Sequence, residues 1–342
     1  MTETENQPVR RSLARKQMAK ALWHIAPGTL QLQVETLLPV TDGNVRVRTA
    51  FSGVSRGTER LIMNGAVPAS EYETMRAPFQ SGDFPFPVKY GYSAAGEIVA
   101  GPPDLLGKHA FCLYPHQDQF IVPANAITLI PPNIPLRRAT LAANMETALN
   151  AVWDSGAGPG DQICVVGAGT VGLLTAHLAA RIPGTSVTVV DTNETRRAPA
   201  EHLGAAFALP ESAPDNCDVV FHTSASSGGL QTAIECAGLE AVVVEMSWYG
   251  DQPTSVVLGG AVHSRRLRLI SSQVGQVSPS RRPRWSHGRR LKQAIELLDD
   301  PALDHLTANE IAFSQSPTRL PHVLDRDYLD LPPVIRYDDQ PE

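Results

Sequence analysis

The sequence is poor in cysteine and in long hydrophobic runs. Its 342 residues include four cysteines, and no two of them form a Cys-x-x-Cys pair. Isolated cysteines of this kind indicate reduced, mostly buried thiols and predict a cytoplasmic protein. No apolar run approaches the roughly 18 residues that a membrane-spanning helix needs, so no membrane partner is predicted.

An excess of positive charge is also missing. The formal net charge is −6 and the pI is about 5.9, which argues against nucleic acid as a partner. A hydrophobic content of 42% and a charged content of 19% are ordinary for a globular protein, and the chain is long enough for two domains. Residues 1–16 are polar and lack the apolar core of a secretory signal, so we expect a loose arm there.

The strongest motif of the chain lies in residues 161–191. The apolar run 163–166 suits a buried parallel strand, and Gly167, Gly169 and Gly172 follow it with the spacing G-x-G-x-x-G. The first glycine allows a tight turn, the second lets a pyrophosphate approach the backbone, and the third lets helix and strand pack closely. The helix that begins here offers free N–H groups to phosphates.

This strand–loop–helix context predicts a dinucleotide site rather than a glycine-rich turn without a ligand. We call residues 167–172 the glycine loop. Its predicted cofactor-binding residues are Gly167, Ala168, Gly169, Thr170, Val171 and Gly172.

A second buried strand, residues 187–190, ends on Asp191. A carboxylate at this place can accept hydrogen bonds from the adenosine ribose diol and repels a 2′-phosphate, which predicts NAD in preference to NADP. Arg196 and Arg197 follow closely and weaken that preference, because an arginine can accommodate a 2′-phosphate. Thr192 and Arg196 complete this part of the predicted cofactor site.

Strand-like runs at residues 218–222, 241–246 and 267–271 alternate with helical stretches. The alternation predicts an α/β fold with a doubly wound parallel sheet, whose ligand lies at the carboxyl ends of the strands. Residues that follow these strand ends are therefore predicted to contact the dinucleotide: Ser224, Ala225, Ser226, Ser247, Trp248, Ser272 and Gln273.

The N-terminal half is rich in predicted β-structure. A hairpin is predicted over residues 21–34, strands over 44–52, 88–99, 109–115 and 118–122, a short helix from residue 60, and a longer helix over 136–153. Residues 65–87 form a long aromatic segment, either a flap over a cleft or a packed surface loop. Near the C-terminus, a helix is predicted over 289–298 and a closing strand over 334–337.

This order of a β-rich half, a nucleotide-binding region and a C-terminal return resembles the medium-chain dehydrogenases/reductases, the alcohol and threonine dehydrogenase superfamily. The matching blocks are residues 52–59 (Ser-Gly-Val-Ser-Arg-Gly-Thr-Glu), 87–97, 122–126 and 165–191. The first two are also similar to the branch of bacteriochlorophyllide hydroxyethyl dehydrogenases. The resemblance implies a GroES-like catalytic domain (residues 1–146 with a return over 276–342), a Rossmann domain (147–275), a nicotinamide cofactor and a homodimer.

The departures from the family pattern concern zinc. Where zinc-dependent members have a cysteine ligand, this sequence has Ser55 or Arg56, and the Gly-His-Glu block is replaced by Gly-Tyr-Ser around Tyr92. The third ligand position falls at about Ala143, and residues 107–122 lack the four-cysteine structural zinc lobe. These side chains do not provide the ligands of a tetrahedral zinc site, so no zinc is predicted.

Without a metal, a side chain must handle the proton of the substrate oxygen. Tyr92 stands where the resemblance places a histidine ligand and is the first candidate, with packing in the cleft wall as the alternative. Ser55 and Thr58 are second candidates, as a hydroxyl relay or as turn-stabilising residues. Glu59 corresponds to an acid that braces the site in the family. His116 lies in the predicted substrate cleft, with a structural histidine as its alternative.

Three further groups have weaker assignments. Asn144 and Thr147 match the family's helix entry beside the nicotinamide. Lys89 and Glu146 are polar groups at the predicted cleft edges. The basic run 281–290 could bind a substrate carboxylate or phosphate, but a solvated face or a subunit contact is favoured.

The sequence thus predicts an NAD(P)(H)-dependent oxidoreductase that acts on an alcohol/carbonyl pair of a small molecule without catalytic zinc. An enoyl or quinone reductase and a dinucleotide-binding module without turnover are the alternatives. A preference for NADPH would favour the enoyl-reductase reading.

Overall fold

The computed structural model describes residues 17–337. The predicted N-terminal arm and the last residues of the chain lie outside this range. The strands are β1 (Gln17–Ala26), β2 (Thr29–Leu37), β3 (Asn44–Gly53), β4 (Ser81–Gly82), β5 (Val88–Lys89), β6 (Ala94–Ala100), β7 (His109–Cys112), β8 (Gln119–Pro123), β9 (Ile127–Leu129), β10 (Gln162–Val166), β11 (Ser186–Val190), β12 (Ala206–Ala208), β13 (Cys217–His222), β14 (Ala237–Glu245), β15 (Arg268–Ser271), β16 (Glu310–Ala312) and β17 (Val334–Arg336).

Residues 17–337 contain eight α-helices, three of which lie between strands of the second half. They are α1 (Arg56–Met63), α2 (Leu136–Ala139), α3 (Ala142–Ser155), α4 (Thr170–Ala179), α5 (Arg197–His202), α6 (Ser227–Cys236), α7 (His287–Glu296) and α8 (Ser316–Val323). Short helical turns lie at Ala69–Glu71, Ala124–Ala126, Glu194–Arg196, Pro210–Ser212, Leu258–Val262, Pro301–Thr307 and Phe313–Gln315.

The second half forms a six-stranded sheet in the order β12-β11-β10-β13-β14-β15, with every neighbouring pair parallel. The order reverses beside β10, so a crevice opens at the carboxyl ends of β10 and β13, where doubly wound sheets bind their ligands. Alternate residues of β10 enter two cores: Ile163 and Val165 face α3 and α4, whereas Cys164 and Val166 face α6. The predicted α/β fold with a doubly wound parallel sheet is confirmed.

The first half is built from two further sheets. One has the order β2-β1-β5-β4, and the other has the order β16-β17-β3-β6-β7-β9 with β8 paired to β3. The return of the chain adds β17 beside β3, the strand that leads into α1. This β-rich part agrees with the GroES-like prediction.

Several predicted element bounds are wrong. The strand predicted over 88–99 is broken into β5 and β6, because Gly91 between them has a φ of 116°, outside the β region. The helix predicted over 136–153 is split into α2 and α3, the first helix begins at Arg56 instead of residue 60, and the short strands β12 and β16 were not predicted. In the aromatic segment 65–87, Phe84 is buried against Tyr72 and Tyr90, whereas Phe79 is exposed.

The predicted boundary between the two domains falls inside α3. This helix packs against both α4 and α7, so it connects the nucleotide sheet with the return segment. The division at residues 146/147 remains a prediction. All four cysteines are buried and free. Among residues 17–337, no helix is long and apolar enough to cross a bilayer.

Candidate functional site

The glycine loop connects β10 to the first turn of α4. Gly167 has a φ of 110°, a value that favours glycine, and a Cβ on Gly172 would lie 1.9 Å from the Gly167 carbonyl oxygen. Gly169, in contrast, has open space where a Cβ would point. The backbone at Gly167 and Gly172 therefore leaves no room for a side chain, whereas Gly169 borders open space. Such space beside the middle glycine is what the approach of a phosphate requires.

Thr170 lies at the first position of α4 and has a buried hydroxyl without a hydrogen-bond partner within the described structure. A buried polar atom normally has a partner, so an unpaired hydroxyl at a helix N-terminus suits an anionic ligand atom. The residues of the loop thus fit the pyrophosphate of a dinucleotide.

Asp191 follows β11 and reaches back to the glycine loop. Its Oδ2 accepts a hydrogen bond of 2.6 Å from the backbone N–H of Ala168, and its Oδ1 accepts one of 2.8 Å from Asn193. Each carboxylate oxygen retains a second lone pair, which is the acceptor that a ribose diol needs. The carboxylate therefore also fixes the distance between the loop and the end of β11.

The two arginines after Asp191 are engaged with protein groups. Arg196 is buried and donates a 2.6 Å hydrogen bond to the Leu329 carbonyl, and burial lowers the pKa of its guanidinium. Arg197 is paired with Glu194 at 2.6 Å. Neither contact presents a free guanidinium to a 2′-phosphate. Asn193 also donates to the Leu329 carbonyl, so the C-terminal return packs beside the predicted ribose site.

A cluster of hydroxyls surrounds Tyr92 in the β-rich half. The Tyr92 hydroxyl donates to Thr58 Oγ1 at 3.3 Å, and Ser55 Oγ donates to Asn144 Oδ1 at 3.4 Å. Burial raises the pKa of Tyr92, and its hydrogen bonds with Ser55 and Thr58 oppose that rise. The phenol is therefore neutral at ordinary pH. Trp248, after β14, packs on the same apolar cluster as Tyr92 and connects it with the nucleotide sheet.

Glu59 and His116 were predicted as catalytic candidates, and both lie behind this cluster at 1% exposure. Glu59 Oε1 accepts from the Ser55 backbone N–H at 2.7 Å, and Glu59 Oε2 lies 3.1 Å from His116 Nε2. His116 Nδ1 lies 2.7 Å from Ser52 Oγ. Although burial alone would raise the pKa of Glu59, the His116 charge and these hydrogen bonds lower it. Glu59 thus holds the Ser55 backbone and His116 contacts Glu59 from behind, and the catalytic roles of both residues remain predictions.

The same inner layer contains His24. Burial lowers its pKa to about 4, despite the opposing charge of Glu59. The Nδ1 atom has no hydrogen-bond partner within residues 17–337. A neutral imidazole is therefore expected there, next to the ionised Glu59.

The side chains at the family's zinc position do not fit zinc. Ser55 rather than Arg56 faces Tyr92, because the Arg56 guanidinium donates to the carbonyls of Val323, Asp325 and Arg326. The donors in place are hydroxyls and an amide, without a thiolate, imidazole or carboxylate among them. Across residues 17–337, no three His, Cys, Asp or Glu side chains are grouped to hold a metal ion. The absence of zinc from the protein itself remains a prediction.

The ends of β13 and β14 border a cleft of about 610 Å³ that also touches α1 and the C-terminal return. Ala225, Trp248 and Tyr249 line it on the nucleotide side, and Ala225 N donates to Ser247 Oγ at 3.1 Å. Ser224, Ala225 and Ser247 therefore lie together, next to the glycine loop: a Cβ on Gly167 would lie 2.8 Å from the Ser224 nitrogen.

Other predicted cofactor residues have contacts that point elsewhere. Ser272 donates to Asp154 at the far end of α3, and Gln273 accepts from the Gly275 N–H within its own turn. Thr147 donates to Ala143 along α3, and Thr192 is exposed. Lys89 is buried and paired with Glu35 at 2.7 Å. These contacts lend no support to a ligand role, and the roles remain predictions.

Sequence reasoning missed the polar group at the ends of β13 and β14. His222, Glu245 and Tyr249 form a hydrogen-bonded cluster there, although only a strand was predicted. The available signal was a histidine directly after the apolar residues 219–221 of this strand. The basic run 281–290 is mostly exposed, in line with the solvated face that the sequence favours. Arg290 is the exception within the run, because it is 1% exposed and paired with Glu146.

No protein-family model matches the chain. It is 23% identical over 314 residues to D-guloside 3-dehydrogenase of Escherichia coli (strain K12), covering 82% of this chain and 89% of that protein. It is 30% identical over 195 residues to 2-desacetyl-2-hydroxyethyl bacteriochlorophyllide A dehydrogenase of Cereibacter sphaeroides, covering 51% of this chain and 57% of that protein.

Solved dehydrogenases share the fold. A dehydrogenase of Sinorhizobium meliloti 1021 bound to NADP superposes with a TM-score of 0.74 at 17% identity, over 94% of this chain and 100% of that one. An alcohol dehydrogenase of E. coli CFT073 complexed with NADH gives a TM-score of 0.72 at 15% identity, over 93% of this chain and 99% of that one.

Proposed function

We propose that this chain moves hydride between NAD(H) and an alcohol/carbonyl pair without catalytic zinc. The chain belongs to the medium-chain dehydrogenase/reductase superfamily and is an oxidoreductase. The observation that carries the proposal is the hydroxyl cluster of Ser55, Thr58 and Tyr92, in which Ser55 and Tyr92 occupy positions where the resemblance places zinc ligands. Two relatives are named as dehydrogenases of hydroxyl-bearing compounds, a D-guloside and a hydroxyethyl bacteriochlorophyllide. Their names support the same class of substrate.

The nucleotide half supports the choice of cofactor. A bound nicotinamide supplies the hydride acceptor, and this chain's own groups position it. The open side of Gly169 and the unpaired Thr170 hydroxyl suit the pyrophosphate, and Asp191 suits the ribose diol. Arg196 and Arg197 are held by other protein groups, which favours NAD over NADP.

The catalytic half would manage the proton. Tyr92 is neutral at ordinary pH because burial raises the pKa of its phenol, so it can donate to the oxygen of a carbonyl being reduced. Thr58 accepts from Tyr92 in the absence of substrate and can exchange the proton during the reverse reaction. Glu59 keeps the Ser55 turn in place through the backbone N–H that it accepts.

One experiment tests the proposal directly. Protein purified without chelator is analysed for metals and titrated with NADH and with NADPH, followed by intrinsic fluorescence. Metal-free protein with tighter NADH binding supports the proposal, and a panel of secondary alcohols, including glycosides and hydroxyethyl tetrapyrroles, is then screened. Stoichiometric zinc would contradict the hydroxyl-based chemistry. Tighter NADPH binding would favour enoyl reduction, and binding of neither nucleotide would contradict an oxidoreductase role for this site.

Asp191→Ala is expected to weaken NADH binding by roughly 10- to 100-fold, because hydrogen bonds to a charged group contribute about 1.5–3 kcal/mol. NADPH binding should change less, since the mutation also removes a charge that repels the 2′-phosphate. Titration of both nucleotides measures the change. Glu194→Ala removes a nearby acid that is paired with Arg197, and it serves as the control with little effect. An equal loss for both nucleotides would contradict a ribose-reading role.

The homodimer is also a proposal. Within residues 17–337, β15 is the last strand of the parallel sheet, and Leu269 on it leaves 47% of its surface exposed. An apolar edge strand of this kind is suited to pairing with another chain. Sedimentation equilibrium of the full chain tests the proposal, and a monomer at all concentrations would contradict it.

A further inference from the structure

Three side chains at the ends of β13 and β14 form a continuous hydrogen-bonded line. Ser224 Oγ lies 2.7 Å from His222 Nε2, and His222 Nδ1 lies 2.8 Å from Glu245 Oε2. The imidazole is fully buried, whereas Ser224 is half-buried beside the cleft. A hydroxyl on one ring nitrogen and a carboxylate on the other is the arrangement that activates a serine nucleophile.

The carboxylate fixes which nitrogen of His222 carries the proton. Glu245 also accepts from the Ser247 backbone N–H at 2.7 Å and from the Tyr249 hydroxyl at 2.9 Å. Although burial alone would raise the pKa of Glu245, its interactions with His222 and the hydrogen bonds from Ser247 lower it, so the group is ionised. An ionised Glu245 requires a proton on His222 Nδ1. In the neutral ring Nε2 is then an acceptor, and it draws the hydrogen of the Ser224 hydroxyl.

The backbone around Ser224 makes a sharp strand-to-helix turn. Ala225, the next residue, has a φ of 51°, a strained value for alanine, and α6 begins two residues later. A Cβ on Gly229 would lie 2.1 Å from Ser224 Oγ and 3.0 Å from His222 Nε2, so only glycine leaves room for this hydroxyl and its base. Strained turns with small neighbours also expose the serine of α/β-hydrolases.

Helix capping does not account for Ser224. The cap of α6 is Ser226, whose Oγ accepts from the Gly229 N–H at 3.0 Å. Ser224 Oγ lies 3.0 Å from that cap and is directed at the histidine. The N-terminus of α6 adds a positive dipole end beside the hydroxyl, which favours the negative charge that develops on an attacked carbonyl oxygen.

We propose that Ser224, His222 and Glu245 form a second reactive site, in which Ser224 accepts an acyl group from an activated ester. The Ser224 oxygen forms a bond to the carbonyl carbon while its proton passes to His222 Nε2, and the ester's C–O bond then breaks, with that proton leaving on the alcohol. Water reverses the sequence and releases the carboxylic acid. Glu245 acts as a positioning residue, since it holds the ring and its tautomer without touching the ester.

The test uses the full chain without nucleotide and 4-nitrophenyl acetate. Release of 4-nitrophenol is followed, and the acetylated residue is located by peptide mass mapping. We expect the acetyl group on Ser224 and a loss of roughly 10²-fold in acylation rate for Ser224→Ala and for Glu245→Gln, the scale of general-base assistance. Ser212→Ala, which removes an exposed serine elsewhere in the nucleotide-binding half, should leave the rate unchanged.

Two results would overturn the proposal. Acetyl groups only on lysines or on serines other than Ser224 would place the reactivity elsewhere. An unchanged rate in Ser224→Ala, with native circular dichroism, would make the hydrogen-bonded line structural. Glu245→Gln distinguishes an activated serine from one that is only accessible to the ester. Gln can keep the His222 ring in place, but it does not require a proton on His222 Nδ1. Equal acylation of Ser224 in this variant would therefore count against the proposal.

Discussion

Tyr92→Phe is expected to lower kcat for carbonyl reduction by about 10²- to 10⁴-fold, the usual contribution of a positioned proton donor. The substitution removes one oxygen from a partly buried ring that packs edge-on against Tyr90, so the packing of the two rings is kept. NADH affinity should stay within about twofold, because the cofactor groups lie on the nucleotide sheet. Steady-state kinetics on the best alcohol/carbonyl pair of the screen, together with an NADH titration, measures both effects.

Tyr90→Phe is the matched control, because Tyr90 is a neighbouring buried tyrosine in the same apolar cluster. It should retain most of the activity. Equal losses in the two variants would assign Tyr92 to packing, and unchanged kcat in Tyr92→Phe would contradict its role as donor. The pH profile gives a second readout: the acid form of Tyr92 persists above pH 10.0 because its pKa is raised, so carbonyl reduction should not fall through Tyr92 ionisation below that value.

The nucleotide half could be predicted because its signals are local in sequence. The turn at Gly167, the close packing at Gly172 and the acid at the end of β11 each follow from a few adjacent residues, whereas the hydrogen bond from the loop to Asp191 is seen only in the structure. The strand order is not local, but alternation of strands and helices leaves few arrangements open.

The side-chain contacts of the β-rich half were harder to predict, because residues far apart in the sequence meet there. Glu59 follows Thr58 directly, yet Thr58 faces Tyr92 while Glu59 turns inward to His116. A one-residue step on a helix changes the face of the side chain, and the helix start was predicted four residues too late. The cluster of His222 and Glu245 depends on two neighbouring strands whose pairing the sequence alone does not reveal.

Arg290 shows the same difficulty in a basic run that predicts a solvated face. Its Nε donates to Glu146 Oε1 at 2.9 Å, one terminal nitrogen donates to Asn150 Oδ1 at 2.6 Å, and the other donates to the Val274 carbonyl. These contacts join α7 and the segment after β15 to α3, whose first turns reach the Tyr92 cluster. The Arg290 guanidinium is therefore part of the core that fixes α3 relative to α7 and to the segment after β15.

Arg290→Met is accordingly expected to lower the free energy of unfolding by about 3–5 kcal/mol, the cost of leaving a buried charge without its partner. Burial already raises the pKa of Glu146, and loss of the opposing Arg290 charge should raise it further, so the unpaired group takes up a proton and the stability loss is largest at alkaline pH. Urea unfolding measures the change. Arg284→Met, an exposed member of the same run, should stay within about 0.5 kcal/mol.

A double variant separates charge from shape. Arg290→Met with Glu146→Gln removes both charges, so it should be more stable than Arg290→Met alone even though it carries one substitution more. If the double variant is not more stable than the single one, the unpaired charge of Glu146 is not the source of the stability loss. If Arg290→Met unfolds like the wild type, Arg290 does not stabilise the core. The inference that its contacts fix α3 against α7 is then wrong.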